Sequence, residues 1–127
     1  MDPFSQPPEA LLIANIGSPP SHILVLNKFA IVPEHFILAT KDFKEQTHLL
    51  EEDDLGVAIA CLQAWKMHGK GLFAFFNSGE HSGASQPHRH LQFLPVDAMM
   101  EGITGGEWRL LTDRLASTPR LGLCSVI

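Results

Sequence analysis

The stretch NSGEHSGASQPHRHLQFLP, residues 77–95, leads from a loop of small and polar residues into a predicted strand at 88–94. His88, His90 and Gln92 occupy alternate positions of that strand. Because successive side chains of a strand point to opposite faces, these three share one face and Arg89 lies on the other. Two imidazoles and an amide on one face predict a strand that lines a cleft. The alternative is a strand face that is exposed to solvent.

Two kinds of chemistry use a pair of imidazoles at this spacing. Metal binding needs a third protein ligand, which His81, His35 or Glu80 would have to supply. Nucleophilic catalysis needs one neutral imidazole, which attacks phosphorus and later leaves again. Gly79 and Gly83 would let backbone N–H groups of the loop approach phosphate oxygens closely. The small residues of the loop are explained by phosphate chemistry and not by metal binding, so the pattern favours the nucleophile.

These residues carry a family resemblance. The run from Asn77 to Gln92 resembles the signature of the histidine-triad superfamily, which has the form His-x-His-x-His or His-x-His-x-Gln. The form ending in Gln, with Ser-Gln before Pro-His, is most similar to the diadenosine tetraphosphate phosphorylases, also called ATP adenylyltransferases. Three upstream segments resemble the same enzymes, so that the similarity covers roughly residues 2–95. They are DPF at 2–4, VLNKF at 25–29 and VPEHFILATKDF at 32–43.

The resemblance implies a role for each matching residue. His90 would be the nucleophile that takes the adenylyl group, His88 would brace it by hydrogen bonding, and Gln92 would contact the α-phosphate. A further set is expected to bind substrate, mainly through its phosphates: Asn77, Gly79, Gly83, Ser85, Gln86, Lys28 and His35. For His35 a packing role at a strand start is an equal alternative. No metal and no cofactor are implied.

The implied reaction has two steps. A dinucleoside polyphosphate gives adenylyl-enzyme and ATP, and inorganic phosphate then releases ADP. Two other functions stay open on the residues alone. The histidine pair would serve as general acid and base on a non-nucleotide substrate, as in a lyase, dehydratase or hydrolase. The chain would otherwise be a nucleotide-binding remnant without activity.

The sequence predicts a single α+β domain over residues 1–127, with a histidine-triad-like antiparallel sheet of about five strands and two helices. Apolar, β-branched and aromatic residues and turn signals predict the strands, and 3–4 spacing of apolar residues predicts the helices. Residues 1–9 are expected to form an extended arm, and 96–127 a diverged or shortened C-terminal part. The strands are predicted at 10–16, 22–26, 29–32, 35–40, 71–77 and 88–94, and the helices at 51–68 and 107–118.

Several charged residues are predicted to have structural roles only. The EEDD run at 51–54 is interpreted as a solvated helix start, where carboxylates favour the positive end of the helix dipole. His22 and His48 are predicted to lie on the surface. Arg89 is predicted to be packed or solvated, because it faces away from the two histidines.

Composition and charge limit the kinds of partner that are expected for this protein. The chain has 127 residues and a formal net charge of −5, which argues against a nucleic-acid-binding protein. It has no apolar run long enough to span a bilayer, so no membrane partner is expected. Cys61 and Cys124 give no sign of a zinc site or a disulfide framework, which favours a cytoplasmic protein. The superfamily's habit of pairing and the apolar end LGLCSVI, 121–127, predict a homodimer.

Overall fold

The computed structural model describes residues 1–104 and 108–117, which fold around a five-stranded sheet. All neighbouring strands are antiparallel, and their spatial order is β1-β2-β3-β5-β4. This architecture confirms the predicted α+β class and the histidine-triad-like sheet. The strands are β1 (Leu12–Ile16), β2 (His22–Leu26), β3 (Phe36–Thr40), β4 (Leu72–Phe75) and β5 (His90–Pro95). The helices are α1 (Glu52–Met67), α2 (Val96–Met100) and α3 (Leu111–Ala116), with a 3₁₀ turn at Glu9–Leu11.

Both faces of the sheet are covered, which is why every residue of β3 is buried. On one face α1 packs over the sheet, and the buried cluster there comprises Phe36, Leu38, Ala58, Leu91 and Phe93. On the other face residues 1–8, which form no helix or strand, lie across the sheet. Their buried cluster comprises Phe4, Ile23, Val25, Ile37 and Ala39. The alternation of β5 places His90 and Gln92 on this second face, opposite Ala39 and Ile37 of β3.

Helix α1 matches the predicted helix at 51–68 within a residue at each end. A capping box begins it: the Asp54 carboxylate accepts the Glu51 backbone N–H at 2.8 Å, and the Glu51 side chain accepts the N–H of Asp54. Gly69, at a φ of 69°, follows the last turn and donates its N–H to the carbonyl of Lys66. That φ is one that glycine adopts without a steric penalty, so Gly69 suits the end of the helix.

Two predictions about polar residues near α1 are wrong. The EEDD run is not solvated throughout, because the Asp54 side chain is buried at 1% exposure. His22 is not a surface residue: it is 3% exposed, and its Nε2 lies 2.9 Å from the Asp54 carboxylate. Arg89 is packed as predicted, and its guanidinium bonds Asp54 at 3.0 Å and Glu51 at 2.9 Å. His48 is exposed, as predicted.

The predicted strand at 29–32 is also wrong. β2 pairs directly with β3, from His22↔Thr40 to Leu26↔Phe36, and residues 27–35 form the loop between them. The apolar residues of this loop bury little, since Phe29 is 80% and Ile31 is 72% exposed. Pro33 cannot donate to a strand ladder, and Glu34 takes a φ of 59° that turns the chain. Apolar content alone therefore gave a false strand.

The remaining elements differ from prediction at their ends. The strand expected from residue 88 begins at His90, and His88 forms only an isolated bridge with Glu45. Helix α2 was not predicted. Helix α3 lies inside the predicted helix at 107–118, whose two ends fall outside the described residues, as do Cys124 and the apolar end at 121–127. None of the helices in the described part of the chain is long and apolar enough to cross a membrane.

Candidate active site

His90 stands at the first position of β5, 3% exposed, on the wall of a cavity. Its Nδ1–H donates to the backbone carbonyl of His88 at 2.8 Å. Its Nε2 has no hydrogen-bond partner among residues 1–104 and 108–117. Burial lowers the pKa of the His90 imidazole below its ordinary 6.5, against the opposing hydrogen bond to His88. The ring is therefore neutral near pH 7, with the lone pair on Nε2, which is the form that attacks an electrophile.

Gln46 fixes the backbone of His90, and sequence reasoning missed it. Its side-chain amide bonds both main-chain groups of His90: Oε1 accepts the N–H at 2.7 Å, and Nε2 donates to the carbonyl at 3.1 Å. Nε2 also donates to the carbonyl of Asn77 at 2.8 Å. Gln46 is 3% exposed, and it bonds His90 beyond the pairing of β5 with β4, which ends at Phe75↔Gln92. A single glutamine in an irregular loop gives no sequence signal for this role.

Gln92 is oriented by His35. The Nε2–H of His35 donates to Oε1 of Gln92 at 3.0 Å, while its Nδ1 accepts the backbone N–H of Ile31 at 3.5 Å. Burial lowers the pKa of His35, which keeps this neutral tautomer at physiological pH. With Oε1 occupied, the amide of Gln92 offers its two N–H groups as donors. Gln92 lines the same cavity as His90, so these donors are available to an anionic group there.

The imidazole of His88 is buried and is not open to the cavity. Its ring is 1% exposed and lies under Phe4, at 5.6 Å between ring centroids. Its Nδ1 is 2.6 Å from the Asp2 carboxylate, and its Nε2 is 2.8 Å from the carbonyl of Thr40. The hydrogen bond from His88 to His90 comes from its backbone carbonyl and not from its imidazole.

The cavity measures about 460 Å³, which is within the range of small-molecule sites. Residues 1–8 form one side and the end of β2 with its loop forms another. Five of the predicted site residues line it together: Lys28, Ser85, Gln86, His90 and Gln92. The others do not line it among the described residues, and they are Asn77, Gly79, Gly83, His35 and His88. A shallower hollow of about 490 Å³ at Pro33, Glu34 and Asp97 contains none of the predicted site residues.

The cavity has an apolar and a polar part. Phe4, Val25, Leu26 and Ile37 supply aromatic and aliphatic walls, whereas Lys28 supplies a cation. The predicted loop glycines, Gly79 and Gly83, take φ values of 96° and 78°, and no atom of the described residues lies within 4 Å of where a Cβ would stand. Those φ values require glycine for the turn itself. In the part of the chain that the structure describes, no three His, Cys, Asp or Glu residues are grouped to hold a metal ion.

Comparison with known structures gives the class of fold. A histidine triad protein from Clostridium difficile superposes with a TM-score of 0.53 over 78% of this chain and 84% of its own, at 12% identity. At that identity the likeness concerns the fold alone. The sheet and its connections thus have the fold of the histidine-triad class.

The family follows from the sequence match. Residues 1–104 match the model of the Ap4A phosphorylase N-terminal domain, where Ap4A is diadenosine tetraphosphate, and the chain belongs to this family. Diadenosine 5',5'''-P1,P4-tetraphosphate phosphorylase 2 of Saccharomyces cerevisiae is 39% identical over 102 residues, which are 75% of this chain and 31% of the yeast protein. The crystal structure of yeast Ap4A phosphorylase Apa2 superposes with a TM-score of 0.77 at 33% identity, covering 93% of this chain and 36% of that one. The chain thus spans about a third of the relatives' length.

Proposed function

We propose that this chain carries the catalytic strand of a nucleotidyltransferase that acts on dinucleoside polyphosphates as a phosphorylase. The observation that carries the proposal is His90, a neutral imidazole on the wall of a cavity that Lys28 and Gln92 also line, with an Nε2 that no described residue bonds. Family membership supports the substrate class, since yeast Ap4A phosphorylase Apa2 has been solved in complex with Ap4A, at a TM-score of 0.70 and 31% identity over 85% of this chain and 42% of that chain.

In the first step Nε2 of His90 attacks the α-phosphorus of diadenosine tetraphosphate. A bond forms between Nε2 and phosphorus, and the bond from phosphorus to the bridging oxygen breaks, so that ATP leaves with its electron pair. The imidazole of the adduct carries a positive charge, which the hydrogen bond from Nδ1 to the His88 carbonyl stabilises. In the second step inorganic phosphate attacks the same phosphorus, ADP forms, and His90 returns to its neutral state.

The surrounding side chains fit the charge that this reaction develops. Gln92 directs its amide N–H groups into the cavity because His35 occupies its oxygen, so it can stabilise the α-phosphoryl oxygens in the transition state. Lys28 provides a cation for the distal phosphates. The apolar walls formed by Phe4, Val25 and Ile37 suit a nucleoside better than a small polar acid, which favours this function over a lyase or dehydratase.

The test is to incubate the protein with diadenosine tetraphosphate, with and without inorganic phosphate, and to follow the intact mass and the products. We expect an adenylylated protein and ATP without phosphate, and ADP only when phosphate is added. The adduct should be lost in the His90→Ala variant and retained in His48→Ala, which removes an exposed histidine outside the cavity. Full turnover in His90→Ala would exclude a nucleotidyl-histidine at this position.

We further propose that the protein works as a homodimer in the cytoplasm. β1 and β4 each have a single neighbouring strand in the described part of the chain, and an unpaired strand edge can add a strand of a second copy. The compartment follows from the absence of a disulfide framework in the sequence.

A further inference from the structure

The N-terminal arm, residues 1–8, reaches the site through Asp2. Oδ2 of Asp2 lies 2.6 Å from Nδ1 of His88, and the ion pair spans 86 positions of the sequence. Phe4 follows on the arm at 5% exposure, with its ring 5.2 Å from the ring of His90. Asp2 also accepts the N–H of Phe4 at 2.9 Å, which closes a local turn. The arm is therefore attached to both histidines of the catalytic strand.

Both ring nitrogens of His88 face oxygen atoms that accept hydrogen bonds. Nδ1 faces the Asp2 carboxylate, and Nε2 faces the Thr40 carbonyl at 2.8 Å. The Thr40 hydroxyl is also within 3.0 Å of Nε2, but its own hydrogen is donated to the carbonyl of Asp42. Two N–H donors on one imidazole make it a cation. At 1% exposure this cation needs a counter-ion, and Asp2 is the carboxylate in contact with it.

Asp2 has the charge that this role requires. Burial raises the pKa of its carboxyl group, but the hydrogen bonds from His88 and from the Phe4 N–H outweigh burial and hold the pKa below its ordinary 3.8. Asp2 is thus ionised at any pH at which the protein would work. It stands in the part of the arm that lines the cavity but it has no hydrogen bond to His90.

We propose that Asp2 is a positioning residue for His90 and the counter-ion of the His88–His90 pair. The inference rests on the proposed function, because it concerns the positive charge that His90 acquires when it takes the nucleotidyl group. His88, two residues away, already carries a charge of the same sign. The Asp2 carboxylate offsets that charge and holds the His88 residue whose carbonyl bonds Nδ1 of His90. Without it, the adduct forms beside an uncompensated cation.

The kinetic test compares Asp2→Asn with Asp2→Glu in the full chain. Asparagine keeps the shape and removes the charge, so we expect the single-turnover rate of adenylylation by diadenosine tetraphosphate to fall about 10- to 100-fold. The apparent KM should stay within about twofold, because Asp2 acts on the charged adduct and not on the bound substrate. Asp2→Glu keeps the negative charge, so its adenylylation rate should lie much closer to the wild-type rate than that of Asp2→Asn. Glu9→Gln, which removes an exposed charge beyond the end of the arm, is the matched control.

The second test needs no nucleotide. Nitrogen-15 NMR of the histidine side chains should show both His88 nitrogens in the protonated range, and Asp2→Asn should shift Nδ1 of His88 while Glu9→Gln leaves it in place. A protein that forms no adduct but shows these spectra would refute the proposed function and keep Asp2 as the partner of His88. An unchanged His88 spectrum in Asp2→Asn, or a wild-type rate of adenylylation in that variant, would refute the role of Asp2.

Discussion

The neutral form of His90, the proposed nucleophile, comes from the removal of water from around its imidazole. It is 3% exposed, and burial disfavours the charged ring, so its pKa lies below 6.5. The hydrogen bond from Nδ1 to the His88 carbonyl selects the tautomer, which leaves Nε2 as the base. A histidine at the same strand position on a solvated face would be partly protonated near neutrality.

The direction of this pKa shift predicts the acid side of the pH–rate profile. A lowered pKa means that more than half of His90 is neutral at pH 6.5, and that the lone pair is lost as the pH falls through the lower folded pKa. The adenylylation rate should therefore decline on the acid side with a midpoint below pH 6.5. Tryptophan fluorescence at each pH separates this decline from acid unfolding. A midpoint at or above 6.5 would contradict the assignment.

Gln46 is the second residue on which the position of His90, the proposed nucleophile, depends. Replacing it by alanine leaves the N–H and carbonyl of His90 and the carbonyl of Asn77 without their partner. Urea unfolding should show a loss of about 1–3 kcal/mol, together with a slower adenylylation. Gln63→Ala, at an exposed position of α1, should change the stability by less than about 0.5 kcal/mol. If the two substitutions had equal effects, the Gln46 amide would contribute nothing to stability or to the position of His90.

At the scale of elements, α1 is fastened to the sheet by a buried polar network around Asp54. Its carboxylate accepts hydrogen bonds from the N–H of Glu51, from His22 of β2 and from Arg89, which directly precedes β5. The network joins the start of α1 to β2 and to the residue that precedes β5. It therefore sets where β5 begins relative to the helix. This polar network lies on the face of the sheet away from the cavity.

The network predicts an unequal effect of two neighbouring substitutions. Among the described residues, Asp54→Ala leaves buried Arg89 with Glu51 as its one carboxylate partner, and the Nε of Arg89 already lacks a hydrogen-bond partner there. The free energy of unfolding should fall by about 3 kcal/mol in a urea titration. Asp53→Ala removes an exposed carboxylate from the same turn and should cost less than about 0.5 kcal/mol. The network would be unimportant if Asp54→Ala were as mild as Asp53→Ala.

In the whole molecule, the two faces of the sheet serve different purposes. One face buries apolar side chains under α1, and the other holds His90 and Gln92 beneath the N-terminal arm. The cavity exists because the arm lies across that second face, since Met1 to Pro8 all line it. An open sheet face without the arm would leave His90 in water and would lose the burial that lowers its pKa.

The proposed homodimer is a property of the whole molecule as well. We expect sedimentation equilibrium to give twice the 14.0 kDa of the chain at micromolar concentration, with a shift toward the monomer on dilution. The physical reason is the gain from pairing an exposed strand edge and covering apolar surface. A single-chain mass even at about 100 μM would refute it.

Local patterns were enough for much of the fold. The 3–4 spacing of apolar residues with acidic residues at one end located α1, and the dense apolar runs located β2 and β3. The prediction of a strand at 29–32 is wrong because Phe29 and Ile31 look like core residues in sequence yet are exposed in the loop at 27–35. Burial depends on which other parts of the chain cover a segment, and the neighbouring residues in the sequence do not show this.

The sequence by itself determined the family, the histidine strand and the residue types available for chemistry, because those are properties of spacing and side-chain identity. Only the tertiary structure decided which groups meet. Asp2 and His88 stand 86 positions apart, and Gln46 and His90 stand 44 apart. His22, predicted for the surface, is buried against Asp54 for the same reason. Contacts of this kind form when α1 and the N-terminal arm pack onto the two faces of the sheet, and a periodic pattern in the sequence does not predict them.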